Sequence, residues 1–595
     1  MSETKRRPFS TAVLWRKLIE NYKPHAGRLI LYLLLSIFSA ATVILSAQFR
    51  TDFIDAVLDN GNTKEAVLTL LLQNLIVIFG IRFLFPALQN HLEKSILPCI
   101  FLRMEMKVGK KKCTIPWPCH EDTETNDKME LLQDISDQVW LYFKGIANIM
   151  SIMVSTVGMF FLMMKLGIIF VVLLFLLFIP VAYFSVRAAS TYYDTWQRTA
   201  KLRHYCDYQR NIMMDKEYAT ERILFEYAPF FLTRWKKDYQ EVRSLSIREE
   251  LKGSKKMQAG GMLYCLYIAV LVAVMVYGLG KGRVTVGYAV SLISIFPSLM
   301  DQMIITLSNE MNRTVRAGYA VKALAEFEAL EDEEGAFDLP KPDMDFSEIV
   351  FKQVSFQYPK TSKWVLKNVD MRFENGKHYA IVGENGAGKS TVIKLLLRLY
   401  RVTEGEILID GKNINQIPHE ELLGLITALF QDHQHYYTNI SENIGIGDIN
   451  HIHDTRRIVD SAKKANFHER IGCMPDGYGT VLGTMHNGGI DLSGGEWQKL
   501  AIARLTMSPC PVKILDEPTA AMDPMFEYAL YQDFNRIMEG RTTISISHRL
   551  ASCRNADHVY VLDHGGVLEQ GKHDELMEDG KLYYKMYTTQ KEMYQ

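Results

Sequence analysis

Hydrophobic and polar positions divide this chain of 595 residues into two unlike halves. In the first, apolar residues come in long blocks. Leu29–Gln48, "LILYLLLSIFSAATVILSAQ", has no charge over the roughly 20 residues a helix needs to cross a hydrocarbon core. A signal peptide would have a shorter apolar part and a small-residue cleavage site, so this block reads as a membrane span. The texture recurs, predicting six spans near residues 29–55, 65–89, 141–164, 166–187, 259–280 and 284–308, with Arg82 inside the second and Asp301 inside the sixth. In the second half the apolar runs shorten to strand length and alternate with helical patterns, as in "KHYAIVG" (Lys377–Gly383) followed by "STVIKLLLRLY" (Ser390–Tyr400).

The spacing of the blocks sets a topology. Only Met164–Leu166 separates the third and fourth, which predicts a tight hairpin, whereas about fifty polar, helix-compatible residues separate the second from the third and about seventy the fourth from the fifth. Lys5, Arg6, Arg7, Arg16, Lys17, Lys23 and Arg28 precede the first span, and Lys107, Lys110, Lys111 and Lys112 follow the second. The short connections on the other side hold Lys64, Lys165, Lys281 and Arg283. The basic excess places the long connections in the cytoplasm and, with an even number of spans, both termini there too.

Two segments flank this region. Residues 1–28 carry an apolar stripe of Val13, Leu14 and Leu18 with basic flanks and Pro24 behind it, the pattern of an elbow helix lying on the inner interface. Residues 331–346, acidic and proline-containing, read as a linker between a membrane domain (29–330) and a second domain (347–595). The net charge of −1 gives no basic footprint for nucleic acid, so no nucleic-acid partner is expected. Eight scattered cysteines without a CxxC pair read as free thiols, and Cys113, Cys119 and His120 lack the second ligand pair of a zinc site.

Chemistry enters with "GENGAGKST", Gly383–Thr391. Gly383 and Gly388 let backbone N–H groups converge on phosphate oxygens, with Glu384, Asn385, Gly386 and Ala387 completing the loop. Lys389 reaches the outer phosphates, and Ser390 offers a hydroxyl to Mg²⁺. The strand before and the helix after supply the required context. About a hundred residues on, "DLSGGEWQK" places Ser493, Gly494 and Gly495 at a helix start, a second anion-binding device. Two phosphate cradles on different faces of one domain cannot serve one nucleotide, which predicts two chains sharing their nucleotides.

P-loop, LSGGE and "VKILDEPTAAMDP" in this order resemble the nucleotide-binding domain of ABC transporters. Six spans with long inner loops ahead of it resemble the half-transporter layout of the exporter type. The resemblance implies an all-α six-helix transmembrane domain followed by an α/β P-loop ATPase domain, with ATP and Mg²⁺ as cofactors. By the same resemblance Tyr358 stacks on adenine and Thr391 joins the phosphate ligands, while Ser390, Gln431 and Asp516 serve the metal. Glu517 is the general base, His548 the switch histidine and Gln431 the link to the membrane domain, and Asp523 belongs to the loop that, with Ser493, Gly494 and Gly495, closes over the partner's ATP. Short coupling helices are expected near Glu121–Met129 and Glu217–Glu226.

Two departures stand out. Lys513 interrupts the apolar strand before Asp516, and "GTMHNGGI" (Gly483–Ile490) lacks the glutamate common in exporters there. "SGGEWQK" together with "FQD…YYTNISENIGIGD" resembles bacterial lantibiotic and peptide exporters. The expected function is ATP-driven export of a peptide or amphipathic substrate from the bacterial plasma membrane by a two-chain assembly. A homodimer is favoured because both sites would be intact, and a heterodimer stays open. An exporter-fold importer, a lipid flippase or a membrane-tethered sensor ATPase are the alternatives. Counting about 1.5 Å per residue from the outer ends of their spans puts Arg82 and Asp301 at a common depth, so Asp301, Gln302 and Arg82 are the candidates for the substrate cavity.

Overall fold

The computed structural model describes residues 23–59, 63–168, 202–302, 306–335, 337–341, 344–483, 488–516, 540–546 and 550–593, with isolated residues between 169 and 201. Contacts group the chain into two units. One comprises residues 1–110 and 127–330, and the other residues 111–126 and 331–595.

In the first unit the apolar blocks are helices, since backbone polar groups in such blocks can be satisfied only within the segment. Ala26–Leu58 is one helix of 33 residues. Lys64–Phe79 starts on Thr63, whose hydroxyl accepts from the Ala66 amide, and runs through a π-helical turn, Gly80–Leu84, into Phe85–Thr114. Ile135–Met163 ends in a 3₁₀ turn at Met164–Leu166, with Gly167 at φ 110°, where the sequence predicts the tight hairpin. Leu68, Leu72, Ile76, Phe79 and Phe83 stay exposed along the second helix, an apolar face suited to lipid. Among the described residues three helices are long and apolar enough to cross a membrane, and the shorter apolar stretches Ile268–Gly280 and Val286–Pro297 fall on the fifth and sixth expected spans. Most of the fourth span and residues 1–22 of the elbow lie outside the described residues.

Small and aromatic side chains hold these helices together. Ala47, Met159, Met163, Leu271, Met275, Tyr288, Leu292 and Phe296 form one buried cluster across four of them. A Cβ added at Gly145 would sit 1.9 Å from Thr314 Oγ1, so glycine there sets how closely Ile135–Met163 approaches Leu307–Glu328. Polar ties are local and satisfied: Glu93 accepts from Trp140 Nε1 at 3.0 Å and from Lys144 Nζ at 2.9 Å, and Asp55 Oδ1 accepts from the Gly287 amide at 2.8 Å. The long connections are themselves helical. Ala228–Gly280 is a single helix of 53 residues, about 80 Å at 1.5 Å per residue, because its polar half contains no breaker strong enough to end it.

The second unit is α/β. One sheet is antiparallel, in the order β2 (Trp364–Glu374), β1 (Glu348–Gln357), β4 (Glu404–Ile409), β5 (Lys412–Asn413). The other runs β10 (Gly566–Gly571), β9 (His558–Asp563), β3 (His378–Gly383), β8 (Thr542–Ile546), β7 (Val512–Asp516), β6 (Ile426–Leu429), and is parallel except for β10. Buried on both faces, β3 reads as a nearly continuous apolar run, and so does β7 apart from Lys513. Two large cores result. One lies between the sheets around Phe351, Phe373, Ile381 and Val392, and the other gathers Ile440, Phe467, Ile471, Trp497 and Leu500 among helices.

Lys513 does not interrupt its strand, contrary to the expectation from sequence. It is 3% exposed inside β7, and its ammonium donates to the Leu505 carbonyl at 3.0 Å, one of the last carbonyls of helix Gly494–Met507. Burial first, then the charge of Arg541, pushes its pKa down to about 7. The folded chain therefore binds fewer protons than the unfolded chain between about pH 7 and the ordinary lysine value, and stability rises with pH across that window. Denaturation of the detergent-solubilised protein should show wild type gaining on Lys513→Met between pH 7 and 9.5, with the difference flat below pH 7.

Candidate functional site

Phosphate chemistry needs amides, a cation and oxygen ligands at one place, and the C-terminal edge of the parallel sheet gathers them. Strand β3 keeps its register with β9 to the last residue, Gly383 opposite Leu562. There φ is 150°, and a Cβ would lie 2.1 Å from the Leu562 carbonyl oxygen, so only glycine lets the chain leave the sheet at that point. The loop then exposes Glu384, Asn385 and Gly386 and buries Ala387, Gly388 and Lys389. Lys389 Nζ donates to the carbonyls of Gly383 at 2.8 Å and Glu384 at 3.0 Å, which folds the ammonium back along the loop. Gly388, at φ 104°, caps the helix Lys389–Leu396, so exposed Ser390 sits in its first turn and Thr391 is buried behind it.

Strand pairing brings the acidic side of the site to the same edge. Asp516, the last residue of β7, is in register with Ile546 of β8, and Ile546 with Ile381 of β3. Two inter-strand steps of about 4.8 Å thus separate Asp516 from Ile381, two residues before the end of β3. Strand β6 pairs Leu429 with Leu515, and exposed Gln431 follows two residues later, next to the end of β7. Glu517, Asp523 and His548 lie outside the described residues; the strands that precede Glu517 and His548 end at this edge.

Tyr358 follows β1 and is half-buried. Its ring meets Phe356 and Tyr400 edge-on at 5.0 and 5.2 Å, and its hydroxyl is 3.1 Å from Thr391 Oγ1, which ties the aromatic to the P-loop helix. Sequence reasoning missed what lies beyond it. Lys394 Nζ lies 5.5 Å from the Tyr358 ring centroid and 5.8 Å from that of Tyr400, and it reaches Glu121 Oε1 at 3.4 Å. Glu121 also accepts from the Tyr400 hydroxyl and from Trp117 Nε1, and the Tyr400 bond holds its carboxyl below the usual range. Short helices occur at both predicted coupling positions, Trp117–Glu121 and Thr123–Leu131 in one, Lys216–Tyr218 and Ala219–Leu224 in the other.

The helix start expected to be a second anion-binding device is rooted elsewhere. Ser493 caps the helix Gly494–Met507, whose buried face packs in the helical core, whereas Ala387 and Val392 of the P-loop pack between the sheets. Ser493 and Gly494 are exposed and Gly495 is half-buried. One turn on, Trp497 is buried and stacks on His435 at 4.1 Å and 5°, with Tyr437 edge-on at 6.3 Å. Arg504 donates to Asn443 Oδ1 and to the Asn443 carbonyl, both at 3.0 Å, and lies 4.6 Å from the Tyr436 ring. The two sequence fragments around Gln431 and LSGGE therefore meet face to face. The tryptophan in "GGEWQ", an odd choice beside a glycine-rich turn, was the signal in the sequence.

The membrane candidates are not joined. Arg82 lies exposed in the π-helical turn, Asp301 is exposed at the end of helix Val286–Asp301, and Gln302 follows it half-buried. Among the described residues no ion pair links Arg82 to Asp301.

Comparison with known proteins adds identity to this geometry. Residues 366–520 match the family described as ABC transporter. The subtilin transport ATP-binding protein SpaT of Bacillus subtilis is 28% identical over 563 residues, 93% of this chain and 90% of that protein. The ATP-dependent lipid A-core flippase of Chromobacterium violaceum is 33% identical over 353 residues, 58% of each chain. A bacterial Atm1-family ABC exporter solved with ATP bound superposes with a TM-score of 0.80 at 24% identity, over 95% of this chain and 98% of that one, and so shares the fold.

The aromatic stack between Trp497 and His435 makes a measurable demand on stability. Trp497→Ala should cost about 3–5 kcal/mol through the cavity it leaves in the helical core. His435→Ala, losing one exposed stacking partner, should cost about 0.5–1.5 kcal/mol. Denaturant unfolding of the two variants gives the ordering, and equal costs would contradict the packing described.

Proposed function

We propose, from the premise that this chain belongs to the ABC transporters as a membrane domain joined to an ATP-binding domain, that it exports a peptide or amphipathic substrate at the expense of ATP. The observation that carries this is the convergence of the P-loop, Asp516 and Gln431 on one sheet edge, with the LSGGE helix anchored in a separate core.

In this reading the P-loop amides and Lys389 bind and neutralise the phosphates. Tyr358, braced by Tyr400 and Thr391, presents an aromatic face to the base. Ser390, Gln431 and Asp516 form a hydroxyl, amide and carboxylate set of hard oxygens on that edge, which fits Mg²⁺, and the ion supplies charge neutralisation to the transferring phosphoryl group. Glu517 takes the proton of the attacking water and His548 positions the outer phosphate. Asp523 and the Ser493, Gly494 and Gly495 cradle of a facing chain close the site. Because cradle and P-loop are rooted in different cores, each nucleotide draws on two chains. A homodimer follows most simply from a chain that carries every motif intact. The protein sits in the bacterial plasma membrane as a multi-pass chain with both termini inside, and the Asp301, Gln302 and Arg82 region lines the substrate path. The match to SpaT favours a lantibiotic-like peptide as cargo. Lipid export is the second reading, favoured by the flippase match.

Glu517→Gln should keep ATP binding and lose on the order of 10²- to 10⁴-fold in turnover, the share a general base supplies. Near wild-type hydrolysis would remove Glu517 from the role. Asp301→Asn should weaken substrate-stimulated ATPase in nanodiscs while basal ATPase persists. Equal loss of both would make Asp301 structural. Uptake of a fluorescent cationic peptide, against a fluorescent lipid, into inside-out vesicles separates the two cargo readings.

A further inference from the structure

The LSGGE motif carries a carboxylate where a phosphate is to be received, and the structure shows what offsets it. Ser493 Oγ accepts from the Glu496 amide and donates to Glu496 Oε2 at 2.9 Å, and the same oxygen accepts from the Ser493 amide at 2.9 Å. This closed capping box fixes the start of the helix. It also fastens a negative charge one turn from the Ser493, Gly494 and Gly495 groups. The other oxygen of that carboxylate, Oε1, accepts from Arg470 Nε at 2.6 Å.

Arg470 comes from the short helix His468–Gly472, held by fully buried Phe467 and Ile471 in the core that also takes Trp497 and Leu500. The guanidinium is thus delivered from a rigid base, 26 residues away in sequence, onto one carboxylate. Burial acts to raise the Glu496 pKa, but the bonds from Arg470 and Ser493 outweigh it and hold the carboxyl ionised. The charge is permanent at working pH, and its partner decides its effect.

We propose that Arg470 is a positioning residue for ATP. It neutralises Glu496 and loosens the hold of that carboxylate on Ser493, so that the Gly494 and Gly495 amides, joined by the Ser493 hydroxyl when it turns from Glu496 Oε2, can receive the anionic outer phosphate brought by the facing chain. This rests on the reading of LSGGE as a phosphate cradle given above. An unpaired Glu496 would repel that phosphate directly and would hold the Ser493 hydroxyl more strongly, because its charge would no longer be shared with Arg470.

The test is a double-mutant cycle on the full-length protein in nanodiscs, reading ATPase kcat and KM separately. Arg470→Ala should raise KM for ATP about threefold to tenfold, the scale of a partly exposed charge pair at a helix start, with a smaller change in kcat. Arg470→Lys should recover most of the loss. Added salt should narrow the gap between Arg470→Ala and wild type, because the repulsion is screened. Combining Arg470→Ala with Glu496→Gln should return KM to the value of Glu496→Gln alone, since no charge is left to offset. Binding of fluorescent ADP, which lacks the outer phosphate, should not distinguish Arg470→Ala from wild type. An unchanged KM in Arg470→Ala, or a double variant as impaired as Arg470→Ala, overturns the assignment. Ser493→Ala separates the two levels: if it leaves KM untouched, the cradle itself is wrong and the proposal falls with it.

Discussion

The last residue of β3 packs so closely on its neighbour that no side chain fits there. A Cβ on Gly383 would reach within 2.1 Å of the Leu562 carbonyl oxygen, so the strand stays paired to its end and the chain must turn away at that point. The turn leaves Glu384, Asn385 and Gly386 exposed, and the Lys389 ammonium is drawn back along the loop by the carbonyls of Gly383 and Glu384. Everything else at the site is located by reference to that turn. Parallel pairing of β8 and β7 with β3 aligns their ends, which fixes where Asp516 lies before any side-chain contact is considered. Catalysis by positioning and charge neutralisation asks for this kind of rigidity.

A second constraint is the split of the ATP-binding unit into two cores. The P-loop helix draws its stability from the sheets, while the LSGGE helix packs its Trp497 and Leu500 in a core with Ile440, Phe467 and Ile471. The segment after Gln431 bridges them, since His435 lies flat on Trp497. A stack of this kind contributes about 0.5–1.5 kcal/mol beyond burial. That is enough to bias the segment's position and too little to lock it, which suits an element expected to respond to nucleotide.

Much of this was legible in the sequence, for physical reasons. Long uncharged blocks admit one solution in lipid, and the strand, glycine loop and helix around Lys389 cannot be assembled from other residue types. Other features were hidden because they depend on pairs remote in the chain. Lys513 looks like a break in an apolar strand, and only the structure shows the Leu505 carbonyl that accepts its hydrogen bond. Arg470 and Glu496 are ordinary surface residues until the fold of the helical core apposes them. The polar connections read as helix-compatible, and where their helices begin and end was not legible. Helices continue well past the apolar block, as Ala228–Gly280 does through Gly253, Gly260 and Gly261, since a glycine inside a long helix costs only about 1 kcal/mol.

The segment 111–126 shows how magnitudes sort contacts that look alike. It groups with the ATP-binding unit although the chain on both sides of it belongs to the helical one. Asp122 pairs with Lys360, whose side chain is 74% exposed, and such a pair contributes little because water screens it and a long side chain must be ordered. Glu121 is different in kind. It accepts from Tyr400 and Trp117 and meets Lys394, and both Tyr400 and Lys394 pack against Tyr358, for which base stacking is proposed. Hydrogen bonds to a carboxylate, several at once and backed by aromatic packing, outweigh one solvated ion pair. The attachment of this segment therefore resides at Glu121, which shares its partners Lys394 and Tyr400 with Tyr358.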